Sequence, residues 1–342
     1  MSKEWSAVLD RLLDGESMKE SEAYALMQKL ATGELPDALA GALLAGLRAK
    51  GETADEIRGF ATAMRELAIH PKIPDGAPTV DTVGTGGDGS GSLNISTGAG
   101  LLAAACGARV VKHGNRSVSS QSGSADLLEC LGLPMPLHEK EAVECLQATN
   151  FTFLFAPAYH PAMKAVVPVR AALSVRTVFN ILGPLTNPAA PPYQLIGAFS
   201  QDAAKLMADA LAGMPMERAF VVHGAAGWDE ATPIGEFTLY DVVPGKVTET
   251  TRTPEDYGMK RCSPDDLAGG DAGNNARALM RVFSGDDKGA HRDALTMSTS
   301  LVLEVMGMAE DAKQGVEIAS AALDGGAASA FAKGLRQHFE TG

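Results

Sequence analysis

The chain lacks an excess of basic residues. Its 342 residues include 29 Lys and Arg against 42 Asp and Glu, and 29 − 42 gives a formal net charge of −13 at pH 7. Proteins that bind nucleic acids or anionic membranes through general electrostatics carry a surplus of positive charge. The charge balance therefore argues against both classes of partner, while it leaves room for a local basic pocket that binds a small anion.

Cysteine is scarce, and long apolar runs are missing. The four cysteines form no CxxC pair and are too few for a disulfide framework in a chain of this length: Cys106, Cys130, Cys145 and Cys262. The first residues are charged throughout and contain no apolar core of a signal peptide, and no stretch approaches the roughly 18 apolar residues of a membrane span. We therefore expect a cytoplasmic protein with reduced thiols and no membrane-spanning segment.

Residues 1–72 predict a small, all-helical domain. Ser17–Glu20 and Thr53–Glu56 both match the capping box, in which two side chains bond to free backbone N–H groups at the start of a helix. The prolines and glycine of residues 70–78 then predict a linker. A second helical stretch at about 161–185 is expected to join the same domain.

From Thr79 the pattern predicts a large α/β domain over residues 73–342. Short apolar runs alternate with helical segments, which is typical of a mainly parallel central sheet flanked by helices. The predicted strands are 79–83, 108–112, 151–155, 194–199 and 219–223. After Val242 the pattern predicts two weak strands and then three helices between about 271 and 338.

A glycine-rich loop follows the first predicted strand. Gly84, Gly86 and Gly89 match the G-x-G-x-x-G pattern of dinucleotide-binding folds. Two features argue against that interpretation: the loop does not open directly into a helix, and the second strand ends at Lys112 and His113 instead of an acidic residue. Taken alone, the glycine cluster is explained equally well by a tight surface turn or by an anion site at a helix N-terminus.

A second polar loop favours the anion site. Residues 112–126 contain two cations, one His, one Asn and five serines, and end at a predicted helix with Ser122 or Ser124 as its N-cap. In open parallel sheets, ligands bind beyond the carboxyl ends of the strands. Two such loops from successive strands would face each other across one cleft, and a phosphate-rich ligand is the best hypothesis.

At these residues the sequence resembles the anthranilate phosphoribosyltransferase family. The matching strings, in family order between about 84 and 230, are GTGGDG, NIST, KHGNR, SGSAD, HPAMK, PVR, RTVFNILGPLTNP and VVHGAAGWDE. The resemblance implies a magnesium-dependent glycosyltransferase of tryptophan biosynthesis. It would transfer the phosphoribosyl group of phosphoribosyl pyrophosphate (PRPP) to the amine of anthranilate, in a homodimer formed through the helical domain.

The resemblance also implies roles for individual residues. PRPP would be bound by Gly84, Gly87, Asp88, Ser92, Asn94, Ile95, Ser96, Thr97, Lys112, His113, Gly114, Asn115, Arg116, Ser117, Val118, Ser119, Ser120 and Ser124. Anthranilate would lie against Gly84, His113, Asn115, Arg170 and Pro184. Magnesium would be served by Ser96, Asp229 and Glu230, and catalytic roles would fall to Lys112, His113 and Asp88.

The residue types suit this chemistry, although each has a plainer interpretation. An adjacent acidic pair such as Asp229–Glu230 is more often a solvated turn, and Arg170 alone would be an ordinary helix-surface cation. Positioned N–H donors, Lys112 and magnesium would stabilise the charge that builds on a leaving pyrophosphate. An aromatic amine is largely neutral at pH 7, so we expect His113 to position the acceptor rather than to act as a strong base.

Three alternatives stay open at this stage. A pyrimidine nucleoside phosphorylase would share the fold, but the strings HGN and RTVFNILGPLTNP argue against it. A non-catalytic nucleic-acid-binding paralogue should show a basic stripe and degraded loops, which this chain does not. A scaffold role in a pathway complex is the third alternative, and no appended domain or tail supports it.

Overall fold

The structure is a computed structural model that describes residues 2–117 and 121–340. The chain opens with helices α1 (Ser2–Leu13), α2 (Glu20–Thr32), α3 (Asp37–Lys50) and α4 (Ala54–Glu66). The predicted capping box at α4 is confirmed: Thr53 N donates to Glu56 Oε2 at 2.8 Å, and Thr53 Oγ1 accepts from Glu56 N at 3.4 Å. The predicted box at residues 17–20 is wrong, because α2 begins later and Glu22 accepts from Lys19 N at 2.9 Å.

Each of the five predicted strands lies within two residues of its observed bounds. The strands are β1 (Thr79–Gly84), β2 (Arg109–Gly114), β3 (Phe151–Phe155), β4 (Tyr193–Gly197) and β5 (Arg218–His223). They are accompanied by α5 (Ile95–Ala105), α6 (Ser124–Cys130), α7 (Glu139–Thr149), α8 (Ala156–Tyr159), α9 (Val167–Leu173), α10 (Phe179–Leu182) and α11 (Gln201–Leu211). These strands are buried almost without interruption, because elements cover both faces of the sheet.

Within the described residues, the strands form one sheet in the order β3-β2-β1-β4-β5, followed by β6 (Phe237–Val243) and β7 (Lys246–Arg252). The first five strands are parallel, and the last two are antiparallel. The chain first builds outward from β1 through β2 and β3, then returns to β4 on the other side of β1. Such a reversal leaves a crevice at the carboxyl ends of the strands.

The end of the chain differs from the prediction. Helices α12 (Ala272–Phe283), α13 (Ala290–Val305), α14 (Ala312–Asp324) and α15 (Ala327–Glu340) stand where three helices were expected. Only Gly325 and Gly326 separate α14 from α15, and so short a break is difficult to distinguish from a glycine within one helix. The sixth strand also begins earlier than predicted, at Phe237.

Two apolar cores lie on the two faces of the sheet. One includes α5, α7 and the C-terminal helices. The other runs without interruption from α1–α4 across α11 to Val83 and Ile196 on the sheet, and it also includes Val166 and Val169 of the 161–185 stretch. That stretch consists of a 3₁₀ helix at 161–165, then α9, α10 and a second 3₁₀ helix at 183–185. The helical layer therefore packs directly on the sheet.

Candidate active site

The candidate site lies at the crevice where β1, β2 and β5 end. Three segments leave these strand ends and meet: the glycine loop 85–94, the polar loop after β2, and the segment after β5 that carries Asp229 and Glu230. Backbone contacts leave no room for side chains at this meeting point. A Cβ atom on Gly197 or Gly224 would collide with the backbone of the acidic pair, and one on Gly84 would collide with the Asp229 carboxylate.

Asp229 and Glu230 do not form a solvated turn. Gly86 N donates to Asp229 Oδ2 at 2.6 Å, and Ser96 N, in the first turn of α5, donates to Glu230 Oε1 at 2.9 Å. Burial is the main cause that raises the pKa of both carboxyl groups above its usual range, and repulsion from nearby carboxylates adds to it. Asp88 is one of these neighbours, since its Oδ2 accepts from Asp229 N at 3.3 Å. Three carboxyl groups are thus crowded into the crevice, and a cation bound there would favour their ionised form.

The nearest cation is Lys112, which is 1% exposed at the end of β2. Its Nζ donates to Thr82 O and to Ser96 Oγ, the latter at 3.4 Å. Burial lowers the pKa of Lys112, and the carboxylates of Asp81, Glu230 and Asp229 oppose that shift. The ammonium group is therefore held beside the acidic pair.

His113 follows Lys112 and is buried and neutral. Burial and the neighbouring His160, whose ring centroid is 5.1 Å away, lower the pKa of His113 to about 3. The Gly183 backbone bonds to the ring, and Pro184 is buried in the same 3₁₀ helix. His113 Nε2 has no hydrogen-bond partner in residues 2–117 and 121–340. A neutral ring with a free nitrogen can orient an amine, but it is a weak base.

The two predicted loops touch, as the sequence suggested. Asn94 Nδ2 donates to Ser122 O at 3.0 Å, while Asn94 Oδ1 accepts from Ser122 Oγ at 3.0 Å and from Asn275 Nδ2 of α12 at 2.9 Å. Neither predicted serine is the N-cap of α6. The N-cap is Gly123, whose N–H donates to Asp126 Oδ2 at 2.9 Å.

The remaining predicted residues make local hydrogen bonds, are buried in α5 or the sheet, or lie outside the described residues. Val118, Ser119 and Ser120 lie outside the described residues. Ser92 Oγ donates to Leu93 O at 3.1 Å, and Asp88 Oδ1 accepts from Ser90 N and Oγ at 3.1 Å each. Ile95 and Thr97 are buried in the first turn of α5. Gly114 ends β2 against Phe153 and Ser124, and Ser117 N donates to Asp126 Oδ2 at 3.1 Å.

The predicted polar side chains Asn115, Arg116 and Arg170 differ in their surroundings. Asn115 is exposed, and its Oδ1 accepts from Arg116 N at 2.7 Å. Arg116 is already paired with Glu129 at 2.5 Å and with Asp126 at 2.8 Å, so its charge is balanced within α6. Arg170 lies over the Phe179 ring at 4.9 Å, and within the described residues its guanidinium makes no hydrogen bond or ion pair.

Sequence reasoning missed three residues that shape this site. Asp81 and Asn187 are 0% exposed and hydrogen-bonded to each other at 2.8 Å. Arg176 stacks over the Phe199 ring at 4.1 Å and donates to Gly87 O in the glycine loop. An acidic residue inside the predicted buried strand TVDTVG was the available signal for Asp81. Arg176 opens the string RTVFNILGPLTNP, but the resemblance gave it no role.

The described residues contain no cluster of three or more His, Cys, Asp or Glu side chains arranged to hold a metal ion. Magnesium does not require one, since it typically takes one or two carboxylates and fills its remaining positions with substrate phosphate and water. Two buried carboxylates with raised pKa values fit such an ion, because a cation would relieve their repulsion. Among residues 2–117 and 121–340, no helix combines the length and apolar character needed to cross a bilayer.

Comparisons with known proteins agree with this geometry. The α/β domain of a glycosyl transferase family matches residues 76–329, and the helical bundle domain of that family matches residues 6–68. The chain is 45% identical to anthranilate phosphoribosyltransferase of Rubrobacter xylanophilus over 316 residues, which are 92% of each chain. It is 46% identical to the Desulforudis audaxviator enzyme of the same name over 321 residues, 94% of this chain and 92% of the relative.

Solved structures give the same result. The crystal structure of anthranilate phosphoribosyltransferase from Thermus thermophilus superposes with a TM-score of 0.91 at 41% identity, covering 97% of this chain and 99% of that one. The enzyme from Saccharomyces cerevisiae in complex with PRPP and Mg superposes with a TM-score of 0.90 at 25% identity, covering 100% and 99%. The chain therefore belongs to the anthranilate phosphoribosyltransferases of the glycosyl transferase family.

Proposed function

We propose that the chain transfers the 5-phosphoribosyl group of PRPP to the amine of anthranilate, which is the second step of tryptophan biosynthesis from chorismate. The bond between ribosyl C1 and the pyrophosphate oxygen breaks, and its electron pair leaves with pyrophosphate. A bond forms between C1 and the anthranilate nitrogen, which gives up one proton to water. The products are N-(5-phosphoribosyl)anthranilate and pyrophosphate.

The observation that carries this proposal is the convergence of a glycine loop, a buried lysine and a buried acidic pair at one crevice. Gly86 N and Ser96 N already hold Asp229 and Glu230, and Lys112 lies beside them. A departing pyrophosphate gains negative charge, and fixed donors aimed at such charge commonly make the largest contribution to catalysis. Lys112 would supply that stabilisation without any nucleophilic side chain.

Magnesium would be held by Asp229 and Glu230, with Ser96 beside them. When bound, it would add positive charge next to the pyrophosphate oxygens. The side chain of Asp88 is anchored by Ser90 and by the Asp229 backbone, and it would keep the glycine loop aligned with the acidic pair.

Anthranilate would bind between the sheet edge and the helical layer. Arg170 has a guanidinium free of other partners in the described residues, and it can clamp a carboxylate through two parallel hydrogen bonds. His113, neutral and next to the 3₁₀ helix that carries Pro184, would orient the amine. Asn115 is exposed beside them and completes the proposed acceptor site.

The deciding assay follows anthranilate fluorescence with purified protein, PRPP and magnesium. Rapid loss of fluorescence that requires both additions supports the transferase. No loss from a folded protein, together with phosphorolysis of thymidine, would favour a pyrimidine nucleoside phosphorylase instead.

We also propose a cytoplasmic homodimer that does not bind nucleic acid. Three large apolar side chains stay exposed on or next to helices that pack on α3, namely Leu13 (67%), Val167 (56%) and Val175 (53%). All four cysteines are free thiols, as expected in a reducing compartment. Light scattering at micromolar concentration should give twice the 35.5 kDa chain mass, and a monomer would contradict the dimer. Tight DNA binding in a gel shift at physiological salt would contradict the expected lack of nucleic-acid affinity.

A further inference from the structure

Strands β1 and β2 are paired only where they begin. Their ladder consists of Thr79 with Arg109 and Val80 with Val110. In contrast, β1 stays paired with β4 as far as Gly84, and β2 stays paired with β3 as far as Gly114. Within the described residues, the ladder of backbone hydrogen bonds between parallel strands therefore has an opening only between β1 and β2, beside the candidate active site, while the two strands remain close neighbours.

Three side chains bridge this opening. The Asp81 Oδ1 atom accepts from His113 N at 3.2 Å, and Asn187 Nδ2 donates both to Asp81 Oδ2 and to Val111 O, each at 2.8 Å. Lys112 Nζ donates to Thr82 O from the other strand. Asp81, Lys112 and Asn187, here called the polar wedge, thus occupy backbone groups of β1 and β2 that lie beyond the end of the ladder.

Burying the polar wedge inside the sheet is energetically unfavourable. Asp81 and Asn187 are 0% exposed and Lys112 is 1% exposed, and burying charges is unfavourable unless each is paired and hydrogen-bonded. Continued strand pairing would satisfy the same backbone groups without burying a charge. The polar wedge instead sets the distance between β1, which leads to Gly84, and the end of β2, which carries Lys112 and His113.

We propose that Asp81 and Asn187 are positioning residues for the transfer reaction, because they hold the end of β2 at a set distance from β1. This proposal rests on the proposed function, in which Lys112 faces the pyrophosphate and His113 faces the acceptor. The Asp81 carboxylate also attracts the Lys112 ammonium group electrostatically. A misplacement of about 1 Å can lower a rate about 100-fold, so a shift of β2 would affect the donor and the acceptor at once.

The test exchanges the two groups. Asp81→Asn removes the carboxylate and places two amides against each other, and Asn187→Asp places two carboxylates against each other. The double variant restores an amide that donates to a carboxylate across the same two positions, while Val111 O loses its donor in both variants that carry Asp at position 187. We expect each single variant to lower kcat/KM for PRPP by about 10- to 100-fold, as for other groups that orient a binding residue. We expect the double variant to be at least about fivefold more active than the weaker single variant.

Gln194→Met is the matched control. Gln194 pairs with Asp81 in register on β4, is 1% exposed, and its amide has no hydrogen-bond partner in the part of the chain that the structure describes. It lies beside the ladder that stays closed, so its replacement should leave kcat/KM within about twofold. Circular dichroism and thermal melting of every variant give the folded fraction.

Each outcome decides between alternatives. Folded single variants with low kcat/KM and recovery in the double variant support the positioning role. A purely structural role predicts activity that follows the folded fraction, unchanged KM values and no recovery, and that result would overturn the proposal. Single variants with wild-type kcat/KM would also overturn it, while the proposed function would stand. A wild-type protein without transferase activity would instead reject the proposed function and the positioning role with it.

Discussion

Gly84→Ala is the smallest change that should disable the candidate active site. Gly84 ends β1, and a Cβ atom there would lie 3.0 Å from Asp229 Cγ and still closer to Oδ2. Carbon atoms in van der Waals contact are about 3.5–4.0 Å apart, so the carboxyl group must retreat by about 0.5–1 Å. The backbone of β1 cannot yield instead, because β1 is paired with β4 as far as Gly197.

The free-energy cost of moving the Asp229 carboxyl group can be estimated. It pulls Asp229 Oδ2 away from Gly86 N, with which it now makes a 2.6 Å hydrogen bond. A hydrogen bond to a charged group contributes about 1.5–3 kcal/mol, and each ~1.4 kcal/mol changes a rate tenfold. We therefore expect kcat/KM for PRPP to fall by about 10- to 100-fold and the magnesium concentration for half-maximal rate to rise by a similar factor.

The assay is the loss of anthranilate fluorescence at several magnesium concentrations. Gly86→Ala is the control: Gly86 has a φ of +68° in the same loop, but a Cβ there meets nothing within 4 Å. It should cost about 1–2 kcal/mol of backbone strain without moving the Asp229 carboxylate, and its magnesium requirement should stay near that of the wild type. A Gly84→Ala protein with wild-type kcat/KM and magnesium dependence would refute the reasoning.

Three further predictions follow from the same structure. Arg170→Ala should raise KM for anthranilate by about 10- to 100-fold and leave KM for PRPP within about threefold. Arg170→Lys should not restore KM for anthranilate, because lysine lacks the planar two-pronged donor of arginine. Equal effects on the KM of both substrates would contradict the carboxylate clamp. Gly59→Ala should lower the free energy of unfolding by about 1–3 kcal/mol in chemical denaturation, because its Cβ would lie 2.8 Å from Tyr24 N and 2.9 Å from Ala23 Cβ between α4 and α2. The exposed control Gly334→Ala, with nothing within 4 Å, should not destabilise. His160→Leu should flatten the pH dependence of stability. Burial lowers the pKa of His160 to about 4, so below about pH 6.5 the unfolded chain binds a proton that the folded chain does not. Between pH 6.5 and 5 the free energy of unfolding should therefore fall by about 1.5 kcal/mol more in the wild type than in the variant. Parallel unfolding curves over that range would refute this assignment.

The sheet could be predicted from the sequence because its signal is local. Each of β1 to β5 is a short run of apolar residues buried on both sides, and such runs mark strands without knowledge of their neighbours. The stretch 161–185 was predicted as helical, but it divides into four short pieces around Pro161, Pro168 and Pro184. Proline permits the first turn of a helix and interrupts its interior, so the boundaries depend on packing against α2, α3 and α4, which the pattern does not show.

Only those site residues that are grouped in short sequence motifs could be predicted from the sequence. The glycine loop, Lys112–His113 and Asp229–Glu230 are such motifs. The hydrogen bond between Asp81 and Asn187 joins residues 106 positions apart, and that between Arg176 and Gly87 joins residues 89 positions apart. No spacing rule connects positions so distant, and a single sequence carries no record of which of them meet. The polar wedge can therefore be recognised only from the structure, in which the β1–β2 ladder stops after two residue pairs.

The sites proposed for the two substrates lie in two different layers of the structure. The groups proposed for PRPP and magnesium stand on the sheet edge, whereas Arg170 stands on α9, a largely exposed helix that contributes Val169 to the core of the helical layer. The two layers are tied at Arg176, which donates to Gly87 O and whose own carbonyl accepts from Arg48 NH1 of α3 at 2.6 Å. Arg176 thus links the helical layer to the glycine loop. Because the same core continues from the helices to the sheet, the helical layer supports the candidate active site and would hold the two proposed substrate sites as one unit.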